Sequence, residues 1–341
     1  MRFLAWGGYV PQHFQEKFIK AVKEKHGIDL KMEVSAVDST GDFFNALRYE
    51  KADVISPSHT HFKDQRYKMI QYNMLLPLNL ENIPNHKNVI PGLQNLDFWT
   101  ENGKVYGIPL GTGPYSLAYN SEVMEDPKSL LALWDPKYKN RYTLGREEYW
   151  ANVFITALAM GYDRNEIHDY KKLNTYEFQE KLKQLAENAH HMWVGVERPK
   201  DLKGMDMALM WGVALTEKNL AAPWQWSDAK EGMTFWIDLF SISHTLEDKP
   251  KLKQIAEEWI NFVLSDEYQA HFALIQGGTP ITTTVKDVLP EEAVKWYRLD
   301  DPDYFNERRI LWPVLNKKNQ KGLLRLWKKA LRRAASAQQS E

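Results

Sequence analysis

Over the first sixty residues the spacing of apolar positions switches repeatedly between strand and helix periods. Phe3-Leu4-Ala5 is a short apolar run that ends at Trp6-Gly7-Gly8. Pro11 then suits the first turn of a helix, Phe14, Phe18 and Val22 recur at four-residue spacing, and Gly27 stands where a C-terminal cap belongs. Ile28, Leu30, Met32 and Val34 alternate with polar residues, which predicts a strand. A second helix is expected to start near Ser39-Thr40 and to carry Phe43, Phe44 and Leu47; a third strand, 52–56, is stopped by Pro57. This β-α-β-α-β order predicts a parallel sheet with right-handed crossovers, hence an α/β fold.

Further along, 104–110 and 116–119 read as strands around a turn at Gly111-Thr112-Gly113-Pro114. Helices are expected over 151–160, 176–189, 251–264 and 266–276, and strands over 208–211 and 233–242. No linker rich in Pro, Gly or Ser divides the chain, and no internal repeat is visible. Two lobes without a linker imply a chain that crosses between them more than once. The stretch 317–333 is strongly basic, with Leu323, Leu324, Trp327 and Leu331 as an inward stripe; it reads as a terminal helix with a solvated face.

Length and charge narrow the function classes. A chain of 341 residues suggests two domains. Its 44 Lys+Arg balance 45 Asp+Glu for a net charge of -1, which argues against nucleic acid as a partner. The absence of cysteine excludes disulfides, zinc–thiolate sites and thiol nucleophiles. A large core could absorb many of the 13 Trp, 16 Tyr and 14 Phe, but so many tryptophans also suit a site that sandwiches a ligand. No stretch reaches the length of a membrane span. The N-terminus is too short for a signal-peptide core and reads as a first strand, which fits either a cytoplasmic protein or a mature form with an added Met.

Catalytic signatures are missing: there is no G-x-S-x-G, H-E-x-x-H or G-x-x-x-x-G-K-[ST]. Gly111-Thr112-Gly113 begins like a dinucleotide fingerprint, but Ser116 takes the third glycine position and no helix follows. The histidine pair His190-His191 reads as surface. His59 and His61 follow the third strand, at the carboxyl end where open α/β sheets bind ligands. Glu147 and Glu148 stand among Arg146, Tyr149 and Trp150, a mixture of charge and aromatics ahead of a helix.

Several segments together resemble a known family. Trp6-Gly7-Gly8-Tyr9-Val10-Pro11 resembles the Trp-x-x-Tyr-x-Pro opening of the spermidine/putrescine-binding proteins of bacterial ABC importers, and Asp53-Val54-Ile55-Ser56-Pro57-Ser58 resembles their strand end. Tyr106-Gly107-Ile108-Pro109 with Leu117-Ala118-Tyr119-Asn120, then Leu133-Trp134-Asp135-Pro136-Lys137-Tyr138-Lys139, Met210-Trp211, Phe235-Trp236-Ile237-Asp238 and Gly278-Thr279-Pro280 continue the series in order. The resemblance implies a two-lobed periplasmic-binding-protein fold, with crossover hinge segments and the ligand in an interlobe cleft. The expected lobes are 1–116 with 240–282, and 117–239 with 283–341.

Carried over residue by residue, the resemblance places Trp6 and Tyr9 at the ligand from the first lobe, with Ser58 at the next strand end; His61, for its place after the third strand, and Tyr115 are further candidate ligand-binding residues. Trp211 and Trp236 would wall the ligand, Asp238 would pair with an ammonium group, and Glu148 or its neighbour Glu147 would take the other end. Aromatic faces and a desolvated carboxylate are what an alkyl-ammonium needs. An acid inside the apolar run 235–242 must find a partner if buried. Against the family pattern, Gly8 stands where polyamine binders carry an acid, Ala151 falls near a second family carboxylate, His59-Thr60-His61 replace a tyrosine-rich loop, and Pro313 takes the place of a late glutamine. Gly8 would leave extra room for a substituent.

The expected protein is therefore a monomeric periplasmic binder of a polyamine, diamine or related small organic cation. It would have no metal, cofactor or catalytic residue, and would deliver its ligand to the membrane permease of an ABC importer. Signalling to a membrane sensor is the related alternative. Ferric-ion binding would need adjacent tyrosines, which this chain lacks, and an enzyme would need a signature that is absent.

Overall fold

The computed structural model describes residues 1–37, 39–214, 223–301 and 309–338. The chain forms two compact α/β units, Met1–Thr112 with Ile237–Glu291, and Gly113–Trp236 with Glu292–Glu341, so it passes between them three times.

The first unit is built on the predicted β-α-β-α-β core. Arg2–Ala5 lies between Glu33–Ala36 and Val54–Ile55, parallel to both, with Phe3 opposite Val34 and Val54. The third strand is short, but Asp53 and Ser56 still donate to Arg2 and Leu4 carbonyls on either side of it. The end of the strand Met233–Ser243 closes this sheet antiparallel, Ser241 opposite Ile55. Helix Gln12–His26 buries Phe14, Phe18 and Val22 as its spacing predicts, and Gly27 ends it at φ 69°, donating to Lys23. Ser39 and Asp42 form a reciprocal capping box on Thr40–Arg48, which buries Phe43, Ala46 and Leu47. Trp259 on helix Pro250–Val263 packs edge-on against Phe3 and Phe18, tying the first strand and helix to the second segment of the unit.

Two expectations are corrected here. The second strand begins at Glu33, not Ile28, and all four of its residues are exposed. It is an edge strand, and the earlier alternation reflects Leu30 tucking into the core from a loop. Residues 111–114 are not a turn: they continue the strand Ile108–Asn120. The glycines answer a steric demand instead. A Cβ at Gly111 would collide with the Phe272 ring, and one at Gly113 would lie 2.7 Å from Trp236 Cζ2.

In the second unit the strands run in the order His191–Trp193, Tyr142–Gly145, Met207–Met210, then the Gly113–Asn120 portion of the long strand, then Trp224–Trp226. Met233–Phe235 pairs with Arg309–Leu311. Helices Tyr149–Ala159, Tyr176–Glu187 and Lys317–Gln338 pack together. The inward stripe of the last helix is Leu323, Leu326, Trp327, Ala330 and Ala334, with Leu324 and Leu331 only partly covered. The buried stripe is thus rotated from the expected one, toward Leu326 and Ala330 and away from Leu324 and Leu331.

Candidate ligand-binding site

Each unit gathers one group of aromatic and acidic residues at strand ends. In the first unit the chain leaves the strand Arg2–Ala5 through a tight turn, the Tyr9 N–H donating to the Trp6 carbonyl at 3.2 Å. Gly8 takes φ 89° in this turn, a conformation that favours glycine. The Tyr9 ring packs edge-on against Phe272, and its carbonyl accepts from the Tyr268 hydroxyl at 2.7 Å. The Tyr9 hydroxyl is thereby aimed at Asp238, donating to Oδ2 at 2.7 Å.

Asp238 sits in the strand Met233–Ser243 and is 7% exposed. Burial pushes its carboxyl up to about 7, and the Tyr9 hydrogen bond pulls it the other way. Ser58 bridges to Asp238 through the backbone. His59 is fully buried, its Nδ1 accepting from the Ile237 N–H at 3.2 Å, so it locks the 58–61 turn to that strand. His61 Nδ1 lies 3.0 Å from the Ser58 carbonyl and must carry the proton, and burial lowers the pKa to about 4. His61 is therefore a neutral imidazole with its lone pair on Nε2. Trp6 packs edge-on against Phe43.

The structure corrects one expectation here. The side-chain amide of Gln276 lies against Gly8, where any Cβ would collide with it, so the missing side chain leaves no free room.

In the second unit a closed ring of hydrogen bonds sets the position of the acids. Gly145 N–H donates to the Tyr115 hydroxyl (3.0 Å), which donates to Asn152 Oδ1 (2.9 Å), while Asn152 Nδ2 returns to the Gly145 carbonyl (2.8 Å). Tyr115 is fully buried, so it frames the site rather than offering its hydroxyl. The ring fastens the end of one strand to the start of helix Tyr149–Ala159, and Glu147 and Glu148 lie on the connection. The indole N–H of Trp327 holds the same connection through the Arg146 carbonyl at 2.7 Å.

The two neighbouring acids part company. Glu147 is exposed, whereas Glu148 folds back over Gly145, whose added Cβ would lie 2.6 Å from its Cγ. Burial first, then the negative charges of Glu147 and Glu197, push Glu148 up to about 8. Trp211 follows the strand Met207–Met210 and meets Tyr115 edge-on at 4.9 Å. Trp312 and then Trp150 extend this aromatic wall at 5.6 and 5.3 Å. Trp236 lies over Gly113, partly buried against the same unit's core.

Glu197 escaped the sequence reading. It is 1% exposed, and its two carboxylate oxygens accept from the backbone N–H groups of Trp211 and Ala214, both at 3.2 Å. Burial pushes it up to about 7 against the pull of those donors. In sequence it reads as half of a solvated Glu197-Arg198 pair, and only the fold shows that its partners are backbone. Trp312 was missed because nothing in 309–312 distinguishes it from core.

Among the described residues, no Lys or Arg forms an ion pair with Asp238, Glu148 or Glu197. No group of three or more His, Cys, Asp or Glu gathers to hold a metal among those residues, and none of the described helices is long and apolar enough to cross a membrane.

The fold is shared with solved structures over nearly the whole chain. A Listeria monocytogenes chain assigned as a spermidine/putrescine ABC transporter aligns with a TM-score of 0.73 at 23% identity, covering 97% of this chain and 98% of that one. The Streptococcus pneumoniae spermidine/putrescine ABC transporter substrate-binding protein gives 0.72 at 20%, covering 97% and 99%. The Atu4243–GABA receptor gives 0.70 at 16%, covering 97% of each chain. These likenesses establish the fold. The sequence model for bacterial extracellular solute-binding proteins matches residues 49–304. Three quarters of the chain carries that signature, and the protein belongs to the family of bacterial extracellular solute-binding proteins.

Proposed function

We propose that this protein captures a small organic cation, a diamine or short triamine, and delivers it as a monomer to the permease of an ABC importer. Trp6, Tyr9, Ser58, His61 and Asp238 of the first unit, and Glu148, Trp211 and Trp236 of the second, are the residues we assign to amine binding, with Tyr115 and Glu197 holding the latter group in place.

The observation that carries this reading is a set of carboxyls beside aromatic rings, Asp238 and Glu197 buried and Glu148 half-buried, that among the described residues have no Lys or Arg ion-paired to them. A buried acid without a cation is costly, and each is held near neutrality by that cost. An ammonium group relieves it. Aromatic faces contribute roughly 0.5–2 kcal/mol each to a cation laid against them. Support also comes from the structural relatives described as spermidine/putrescine proteins. A relative described as a receptor for GABA, which carries a single ammonium, fits a fold that accepts short amines.

The charge count sets the size of the ligand. Both oxygens of Glu197 are engaged by backbone, whereas the Tyr9 hydroxyl bonds Oδ2 of Asp238 and Glu148 is only half-buried. Asp238 and Glu148 are two acids that match a ligand charged at two ends, and His61 offers a neutral acceptor to one further amine. Isothermal titration with putrescine, cadaverine, spermidine, spermine and GABA at one ionic strength tests the proposal. Tightest binding of a diamine or spermidine is expected. Tightest binding of spermine would show that the charge count is wrong, and no binding of any amine would overturn the ligand class.

A further inference from the structure

The closing helix carries a feature that ligand capture does not use. Lys317–Gln338 contains eight Lys and Arg and no Asp or Glu, in a chain whose net charge is only -1. Lys318, Lys321, Arg325, Lys328 and Arg332 are all exposed and follow one another at alternating three- and four-residue spacing. That spacing stacks them on a single face, a straight row about 21 Å long at 1.5 Å per residue.

The row is held in place from behind. Leu323, Leu326, Trp327, Ala330 and Ala334 are buried, so the face is displayed by a packed helix and not by a loose tail. The neighbouring helix Tyr176–Glu187 takes only the flank: Arg333 pairs with Glu180, and Lys329 donates to Gln179. Among the described residues, no carboxylate pairs with any of the five in the row.

We propose that this row docks the protein on an anionic phospholipid surface. Charge complementarity selects a polyanion, and membership of an extracellular family places the protein beside a membrane rather than a nucleic acid. A lipid surface fits better than a protein groove, because no large apolar side chain of this helix is among the exposed ones. Protein interfaces take most of their energy from buried aromatic and apolar anchors, whereas adsorption to anionic lipid needs only charge. Docking of this kind would concentrate the binding protein near a membrane-embedded partner without engaging the ligand residues.

Co-sedimentation of the full chain with vesicles tests this. Binding is expected to vesicles of phosphatidylcholine with 30% phosphatidylglycerol, to be absent from pure phosphatidylcholine, and to weaken steeply with salt. Each basic residue near such a surface contributes about five-fold in affinity. The triple variant Lys321→Gln/Arg325→Gln/Lys328→Gln is therefore expected to bind about a hundred-fold more weakly. Its circular dichroism and melting temperature confirm folding, and ligand titration is expected to be unchanged. A control with the same charge loss elsewhere, Lys20→Gln/Lys31→Gln/Lys87→Gln, is expected to retain nearly full binding. Equal losses in the two variants would reduce the effect to net charge and overturn the docking face. Failure of the unaltered protein to bind the anionic vesicles would overturn the proposal outright.

Discussion

The Tyr9 hydroxyl donates a 2.7 Å hydrogen bond to Asp238 Oδ2, joining the turn after the first strand to a strand 229 residues later. Burial raises this carboxyl to about 7, and the bond favours its ionised form. Asp238→Asn keeps the shape and removes the charge, so affinity for a diamine is expected to fall by roughly 2–5 kcal/mol. Tyr9→Phe removes one bond to a charged group, an expected loss of about 1.5–3 kcal/mol in binding. Calorimetric titration checks both; an Asp238→Asn protein with unchanged affinity would assign the carboxylate a structural role.

Proton linkage follows from the same carboxyls. Asp238 and Glu197 are raised to about 7 and Glu148 to about 8, mainly by burial. A cation favours their ionised forms, so binding near pH 6 is expected to release protons and to tighten as pH rises toward 8. The signature is an apparent binding enthalpy that varies with the ionisation enthalpy of the buffer. For the free protein the sign is opposite. Groups raised above their unfolded values contribute most below the unfolded value near 4, and that contribution is lost as pH rises through 7 to 8. Melting curves over pH 5–8 for the Asp238→Asn variant should lose part of this slope.

Glu197 is expected to act through Trp211. Replacing it by Ala removes the carboxylate acceptor of the Trp211 N–H, costing about 1–3 kcal/mol of stability. Glu197→Gln retains an acceptor oxygen and should recover much of that stability. A ligand-induced change in tryptophan fluorescence that survives in Glu197→Gln but not in Glu197→Ala would identify positioning as its role. Loss of binding in both, with stability intact, would instead make the charge itself a ligand contact.

Trp327 couples the last helix to the acidic connection through the Arg146 carbonyl. Trp327→Phe keeps an aromatic ring in the core but removes the donor, for an expected loss of about 0.5–1.5 kcal/mol in stability. Affinity should fall a few-fold because the segment bearing Glu148 is less firmly held. Normal binding with a lowered melting temperature would separate the helix from the site.

At Gly8 the backbone and the neighbour agree in excluding a side chain. Its φ of 89° and the adjacent Gln276 amide make Gly8→Ala destabilising by about 1–3 kcal/mol. Gln276→Ala in the same chain relieves the collision but not the dihedral strain, so thermal unfolding should show only partial rescue.

Local patterning determined the elements. Phe14, Phe18 and Val22 specified a helix because their spacing repeats once per turn, and Ser39 with Asp42 specified where the next begins because a cap is satisfied within four residues. The order of those elements was enough for an α/β reading, and the ordered motifs from Trp6 to Pro280 resembled the spermidine/putrescine-binding proteins, where residues 49–304 show the broader family of bacterial extracellular solute-binding proteins. Tertiary structure decided what depends on partners distant in sequence. Gly111 and Gly113 read locally as a turn, yet they lie in a strand, and they are glycines because Phe272 and Trp236 occupy the space side chains would need. Glu147 and Glu148 were indistinguishable as neighbours until the strand end at Gly145 received one of them and left the other exposed. Glu197 became visible only when the strand Met207–Met210 brought the Trp211 and Ala214 N–H groups to it. Periodicity records a short-range rule of backbone geometry, whereas burial and the fate of a carboxylate depend on what the rest of the chain places beside it.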